Sequence, residues 1–145
     1  MAHVLETGFE ILQRDNPNGS PTVMGYNIIN GELRSSSDGE TFESRNPAWT
    51  DDCLGVFPLS TKKDVHDALE SARDAFSEWS RTPAPSRGQI IGNMGRLLME
   101  YKDDIVRVET REIGKTLKES AGEVQEAIDT CLFFQSEGRR LYGQT

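Results

Sequence analysis

The 145-residue sequence lacks long hydrophobic runs: the longest stretch without polar, Gly or Pro residues is only residues 131–134. A membrane-spanning helix needs about 20 apolar residues, so none is predicted. The first residues contain neither a basic nor an apolar region of the kind that forms a signal peptide, so we expect a cytoplasmic protein. The 16 basic residues are outnumbered by 24 acidic ones, and the net charge of −8 argues against nucleic acid or a membrane surface as a partner, because both require a basic face.

Cysteine and histidine are too few to form a recognisable catalytic or metal site. Two cysteines are typical of a reducing compartment rather than of a disulfide scaffold. Cys131 falls on an apolar helical stripe and is predicted to be a core thiol, whereas Cys53 follows two aspartates, whose charge disfavours the reactive thiolate. The two histidines have no cysteine or histidine at zinc-site spacing. The residues alone therefore predict no nucleophile with a base, and a small complete enzyme that uses Cys53 is disfavoured.

Nucleotide-binding glycine motifs are missing as well. The Gly-Lys-Thr at 114–116 has Glu109 where a phosphate-binding loop requires glycine, and Gly114 is better placed to end a helix. Three other glycines fall within a helical pattern and follow no strand: Gly88, Gly92 and Gly95. Close approach of a neighbouring element is one reason for a helix to tolerate them.

The first 59 residues are predicted to contain an arm and a small β-structure. Residues 1–25 hold a cluster of turn formers and are expected to form the arm, in which a short helix over residues 3–13 is compatible with the pattern. Within residues 26–59, runs at 26–30 and 41–45 are predicted to pair as a hairpin across a loose loop, and a third strand is expected at 54–57. A lone hairpin is marginally stable, so this part needs a partner sheet or helices.

Residues 60–145 show helical periodicity. The first helix, over residues 61–79, is predicted to begin at a capping box of Thr61 and Asp64. The second covers 90–101 and continues over 103–113 to Gly114, and the third starts at 117. The predicted fold class is therefore α+β, with a hairpin and a third strand followed by three to four helices. Because the third helix is apolar over a wide face, we expect it to be sandwiched between elements or to require a partner.

Six short motifs stand in a characteristic order: residues 29–32 (INGE), 39–48 (GETFESRNPA), 64–79, 87–98, 109–115 (ETREIGK) and 140–145. Together they resemble the N-terminal part of the NAD(P)-dependent aldehyde dehydrogenases, with Thr116 in place of the proline that follows Gly-Lys in the family. The segments at 83–88 and 122–126 are most similar to the branch that acts on aminoadipic semialdehyde.

The resemblance implies that the chain is part of an α/β aldehyde dehydrogenase fold. Residues 26–59 would supply strands of the oligomerisation region, and residues 60–145 would be a truncated helical part that flanks the dinucleotide-binding domain. The full-length enzyme would use NAD or NADP, act on a small aldehyde and form a homo-oligomer, either a dimer or a tetramer. Its catalytic Cys, Glu and Asn and its dinucleotide loop would follow residue 145, so the isolated chain is predicted to be inactive and to bind no cofactor.

Two sites follow from the resemblance by position. A monovalent cation would be held by the backbone of Ser44 and Arg45 together with Glu112. The substrate tunnel would be lined by the third helix at Val124 and Ala127, with Glu123 or Glu126 available for a polar substrate. Core packing remains equally open for Val124 and Ala127, and a row of carboxylates at helical spacing is more often a solvated face.

An alternative function is open at this point. A helical module without enzymatic activity could use the wide apolar face of the third helix to bind a partner. The sequence that follows residue 145 would distinguish the two hypotheses.

Overall fold

The computed structural model describes residues 22–140 in full and the backbone of residues 9–12. These residues fall into two compact units. The first lies within residues 1–77 and also contains residues 111–113. The second comprises residues 78–110 and the part of the chain from residue 114 onward.

A four-stranded sheet forms the first unit, in the spatial order β1-β2-β6-β5. Its strands are β1 (Phe9–Leu12), β2 (Thr22–Gly25), β5 (Thr41–Arg45) and β6 (Cys53–Pro58). Strands β2 and β6 run parallel, whereas β1–β2 and β5–β6 are antiparallel. Strands β3 (Asn27–Ile29) and β4 (Glu32–Arg34) form a separate two-stranded hairpin.

The strand pairing differs from the sequence prediction. The run at 26–30 does not pair with 41–45: its strand β3 pairs with β4, a strand that was not predicted. The reason is local, since Asn30 and Gly31 both have positive φ (55° and 74°), which closes a tight two-residue hairpin loop. Strand β5 pairs instead with β6.

The N-terminal part also contains strands where the sequence predicted an arm. The helix considered for residues 3–13 is wrong at Phe9–Leu12, which pair with Thr22–Gly25 as a strand. Residues 1–8 and 13–21, which hold the rest of that helix and most of the predicted arm, lie outside the described residues.

Four helices follow: α1 (Lys62–Trp79), α2 (Ala84–Glu100), α3 (Lys102–Ile113) and α4 (Leu117–Glu137). The predicted capping box is confirmed, because the Thr61 N–H donates to the Asp64 carboxylate at 2.7 Å and the Asp64 N–H points back to Thr61 Oγ1 at 3.4 Å. The predicted end of α3 is also confirmed: Gly114 adopts the left-handed conformation at φ 75°. Helix α4 begins with a second capping box, Thr116 and Glu119.

Packing of α2 against α4 organises the second unit, and it explains the glycines within α2. A Cβ built on Gly95 would lie 2.9 Å from the Cβ of Cys131, and one on Gly88 would meet the backbone of Gln135 on α4. The close approach expected from the sequence is therefore present. The buried core is formed by Val106, Val124 and Ile128, with Leu98, Ile105 and Ala121 packed around it.

Large apolar side chains remain uncovered on the helices. On α1 an apolar stripe at helical spacing is open to solvent, with Val65, Leu69 and Phe76 each more than half exposed. Further exposed side chains lie on α2 (Ile90, Met94, Leu97) and on α4 (Leu132, Phe133, Phe134). Uncovered apolar surface of this extent marks an interaction surface in a folded protein. None of the described helices is both long enough and apolar enough to cross a bilayer.

Candidate functional site

The end of the β5–β6 ladder brings three polar side chains together in the first unit. Arg111, in the last turn of α3, donates from Nε and Nη2 to the two carboxylate oxygens of Asp52 at 3.1 and 2.8 Å. The side chain of Asp52 is fully buried, and Asn46 donates a further hydrogen bond to it at 3.2 Å. A buried carboxylate requires a countercharge and hydrogen bonds of this kind, because an unpaired charge in the interior is strongly unfavourable.

The predicted cation residues lie beside this ion pair. The β5–β6 register shifts between Ser44 and Arg45, and such an irregularity disrupts the regular hydrogen bonding of the ladder. The Arg45 side chain turns to Glu43, at 2.5 Å, and to the Thr50 carbonyl, at 3.0 Å. Glu112 is exposed and belongs to the same unit.

The donor set named for the cation consists of oxygens only, which suits a hard cation. Within the described residues, no three His, Cys, Asp or Glu side chains are grouped so that they could hold a metal ion. The structure thus places the predicted residues in one unit, and a cation there would depend on backbone carbonyls and on Glu112.

Helix α4 separates the predicted tunnel residues onto two faces. Val124 is only 4% exposed and packs in the core with Val106 and Ile128. Glu123, Glu126 and Ala127 are exposed. Glu126 and Ala127 lie three and four residues after Glu123, a spacing that makes them its neighbours on the helix surface. The open face therefore presents two carboxylates beside a small side chain, while Val124 contributes to packing.

A cleft with a volume of about 480 Å³ follows this open face. Glu126 is the one predicted tunnel residue that lines it, and two phenyl rings form its apolar end. The lining is Gly122, Gln125, Glu126, Asp129, Thr130, Phe133 and Phe134. Clefts of this size accommodate small molecules.

Lys115 contacts the first of the two exposed carboxylates. Its Nζ pairs with Glu123 Oε2 and lies 3.9 Å from Glu109 Oε1. The hydrogen bond to Glu123 raises the pKa of Lys115 above its ordinary value, against the effect of burial. The same bond lowers the pKa of Glu123, with a further contribution from a hydrogen bond to Glu109. Lys115 is thus held charged, and so is its partner.

The cysteines and the described histidine lie outside the lining of the cleft. Cys53 and Cys131 are both buried and form no disulfide, and Cys131 packs against Gly95, as predicted for a core residue. His66 is exposed on α1. His3 lies outside the described residues.

Sequence reasoning missed the Lys115–Glu123 and Asp52–Arg111 pairs. Lys115 and Glu123 are eight residues apart and lie on either side of a helix start, so helical periodicity does not predict their contact. Asp52 and Arg111 are 59 residues apart. The buried aspartate could have been suspected only from its place just before an apolar strand.

Comparison with known proteins identifies the fold. The model of the aldehyde dehydrogenase family matches residues 33–145. The α-ketoglutarate semialdehyde dehydrogenase of Haloferax volcanii is 40% identical over 117 residues, which are 81% of this chain and 24% of that protein. A malonate-semialdehyde dehydrogenase of Bacillus cytotoxicus is 39% identical over 118 residues, again 81% of this chain and 24% of the relative.

The fold itself is that of a solved NAD-dependent aldehyde dehydrogenase from Sinorhizobium meliloti. The two superpose with a TM-score of 0.82 at 21% identity, over 93% of this chain and 27% of the other. The small sheets and four helices described above are thus part of an α/β enzyme fold. The chain belongs to the aldehyde dehydrogenase family. It spans about a quarter of the length of the relatives it matches.

Proposed function

We propose that the chain is the N-terminal segment of an NAD(P)-dependent aldehyde dehydrogenase that oxidises a semialdehyde to the carboxylic acid. The observation that carries the proposal is the family match over residues 33–145. The names of the relatives support the substrate class, because both relatives described above are semialdehyde dehydrogenases. Aminoadipic semialdehyde remains a prediction for the particular substrate.

The chemical step belongs to residues beyond this segment. In such an enzyme a cysteine thiolate attacks the aldehyde, a glutamate activates the water that hydrolyses the thioester, and an asparagine and a backbone amide stabilise the oxyanion. NAD or NADP would supply the hydride acceptor. The isolated chain is expected to bind neither cofactor and to be inactive.

Three supporting roles fall to the residues of this chain. The exposed apolar helices, including the stripe of Val65, Leu69 and Phe76, would be covered by the remainder of the enzyme. The strands within residues 26–59 would contribute to a homo-oligomer, a dimer or a tetramer. The open face of α4, with Glu123, Glu126 and Ala127, would form one wall of the substrate tunnel, and Val124 would support that wall from the core.

The cation site is part of the same proposal. The irregular register at Ser44 and Arg45 supports it, because a disrupted ladder leaves backbone carbonyls available to a ligand. The nearby buried pair of Asp52 and Arg111 fixes the chain next to Glu112. A cytoplasmic location is proposed for the whole enzyme.

Assays of the whole enzyme and of residues 1–145 alone test the proposal. We expect reduction of NAD or NADP by the whole enzyme with a semialdehyde and none by the chain alone. NADH production by the purified chain would contradict the assignment of catalysis to later residues. Failure of the whole protein to oxidise any aldehyde would contradict the function.

A module without enzymatic activity is the second candidate. The exposed Leu132, Phe133 and Phe134 on α4 favour it, since together they form an apolar surface suited to a partner. A stop codon directly after residue 145 in the source gene would support the module, whereas a reading frame that continues into a dinucleotide-binding segment would support the enzyme.

A further inference from the structure

We propose that Lys115 is a specificity-determining positioning residue, which holds the Glu123 carboxylate and offsets its charge so that a carboxylate-bearing aldehyde can pass the open face of α4. The inference rests on the proposed function, in which this face forms a wall of the substrate path. Lys115 itself does not touch the substrate in this proposal. It acts through Glu123.

The backbone fixes Lys115 on both sides. Gly114 before it takes the left-handed conformation that ends α3, and its N–H bonds to the Thr110 carbonyl. Thr116 after it caps α4, where its hydroxyl accepts from the Glu119 N–H at 3.3 Å. Lys115 therefore has little freedom to leave the junction, and its side chain is directed by the turn rather than by a flexible loop.

The lysine is also the more sheltered member of its pair. Its side chain is 26% exposed, compared with 51% for Glu123, and Glu109 beneath it is 18% exposed. Partial burial of this kind strengthens a charge pair relative to one in open solvent. The ammonium thus lies behind the more exposed carboxylate.

Several carboxylates face this one ammonium. Glu123 is in contact, Glu109 lies 3.9 Å away, and Glu119 contributes a weaker attraction. Farther along α4, Glu126 is exposed and Asp129 accepts a hydrogen bond from Gln125 at 2.9 Å. Without Lys115, Glu123 would lose the ammonium that it pairs with, and an anion passing this wall would be repelled.

This repulsion matters for the proposed function, because both relatives described above are semialdehyde dehydrogenases. A semialdehyde carries a carboxylate, so a wall of free carboxylates would hinder the substrate class proposed for this enzyme. Compensation by Lys115 resolves the conflict between an acidic helix and an anionic substrate.

The test compares two four-carbon aldehydes in the whole enzyme, anionic succinate semialdehyde and neutral butanal. We expect K115M to raise the KM for succinate semialdehyde by about fivefold, an effect that high salt reduces. The KM for butanal and both kcat values should stay within about twofold, since only binding of the charged substrate changes. The matched control is K118M, which removes a lysine that forms no hydrogen bond or ion pair with the described residues of the chain.

Three further variants separate the effect of charge from an effect on the structure. In K115M/E123Q the KM for succinate semialdehyde should return towards the wild-type value, and K115R should behave like wild type. E123Q alone removes the exposed carboxylate while Lys115 keeps its charge beside Glu109, so it should lower the KM for the anionic aldehyde, and this result is informative even if K115M folds poorly.

The outcomes distinguish the two proposals. Equal changes for both aldehydes, or no recovery in the double variant, would overturn the role of Lys115 and leave the enzyme function standing. A wild-type enzyme that oxidises neither aldehyde with NAD or NADP would overturn the function and the inference with it.

Discussion

Arg111 and Asp52, far apart in the sequence, form a bidentate ion pair whose carboxylate is completely shielded from solvent. Both oxygens of Asp52 are engaged by the guanidinium, and Asn46 adds a third hydrogen bond. Such a pair fixes the relative position of the two residues but adds little net stability, because the desolvation of both charges offsets much of their attraction. Removal of one partner alone, however, strongly destabilises the folded chain.

We therefore expect R111M to lower the free energy of unfolding by about 3–5 kcal/mol, because it removes the guanidinium that binds both oxygens of the buried Asp52. Urea denaturation followed by circular dichroism measures the change. The control is R107M, which breaks an exposed pair with Asp104 and should lower stability by at most about 1 kcal/mol. Equal effects of the two variants would show that the buried carboxylate does not depend on Arg111.

Asp64 gives a prediction about pH. Hydrogen bonds from the Thr61 backbone, and then from Ser37 and the Thr61 side chain, lower the pKa of Asp64 below its usual 3.8. The ionised form is thus favoured in the folded state, so its contribution to stability is present above the unfolded pKa and is lost as the pH falls through the lower folded value.

In D64N the difference in stability from wild type should accordingly be largest near neutral pH and shrink below pH 3.8. Unfolding midpoints in urea across this range provide the measurement. The exposed Asp74, further along α1, supplies the comparison through D74N. A constant difference between D64N and wild type at all pH values would mean that the carboxylate charge has no part in the cap.

Two glycines on facing helices should respond in opposite directions to alanine. In G95A the new Cβ meets Cys131 at 2.9 Å, and the overpacking should lower stability by about 1–3 kcal/mol. Gly122 has open space around its added Cβ, so G122A should raise stability by about 0.5–1 kcal/mol through helix propensity alone. Thermal denaturation distinguishes the signs, and stabilisation by G95A would refute the close packing of α2 on α4.

Cation binding can be tested at Glu112 in the whole enzyme. The addition of potassium or sodium chloride should raise the melting temperature of wild type relative to choline chloride at equal ionic strength, because ligands that bind the folded state stabilise it. E112Q should lose this difference, whereas E100Q, on the exposed end of α2, should retain it. No cation-specific shift in wild type would count against the site.

The helices were predictable from the sequence because their signals are local. Thr61 with Asp64 marks the start of α1, and Gly114 marks the end of α3. The spacing of apolar residues within each helix shows the helical period. The strand pairing was not predictable in the same way, because the two-residue turn at Asn30 and Gly31 pairs β3 with β4 instead of β5. The pairs Asp52–Arg111 and Lys115–Glu123 depend on how elements are brought together, which periodicity does not encode. The exposed stripe on α1 has the spacing typical of a core face, but a sequence shows which residues are apolar and not what covers them.

The open stripe of Val65, Leu69 and Phe76 has a consequence for biosynthesis. Under the proposed function this segment leaves the ribosome first, and chains grow at about 5–20 residues per second. Many seconds then pass before the later segments emerge to cover these side chains. During that interval the nascent polypeptide would expose the apolar stripe of α1 to solvent. Chaperones that recognise hydrophobic surface would therefore be expected to bind it.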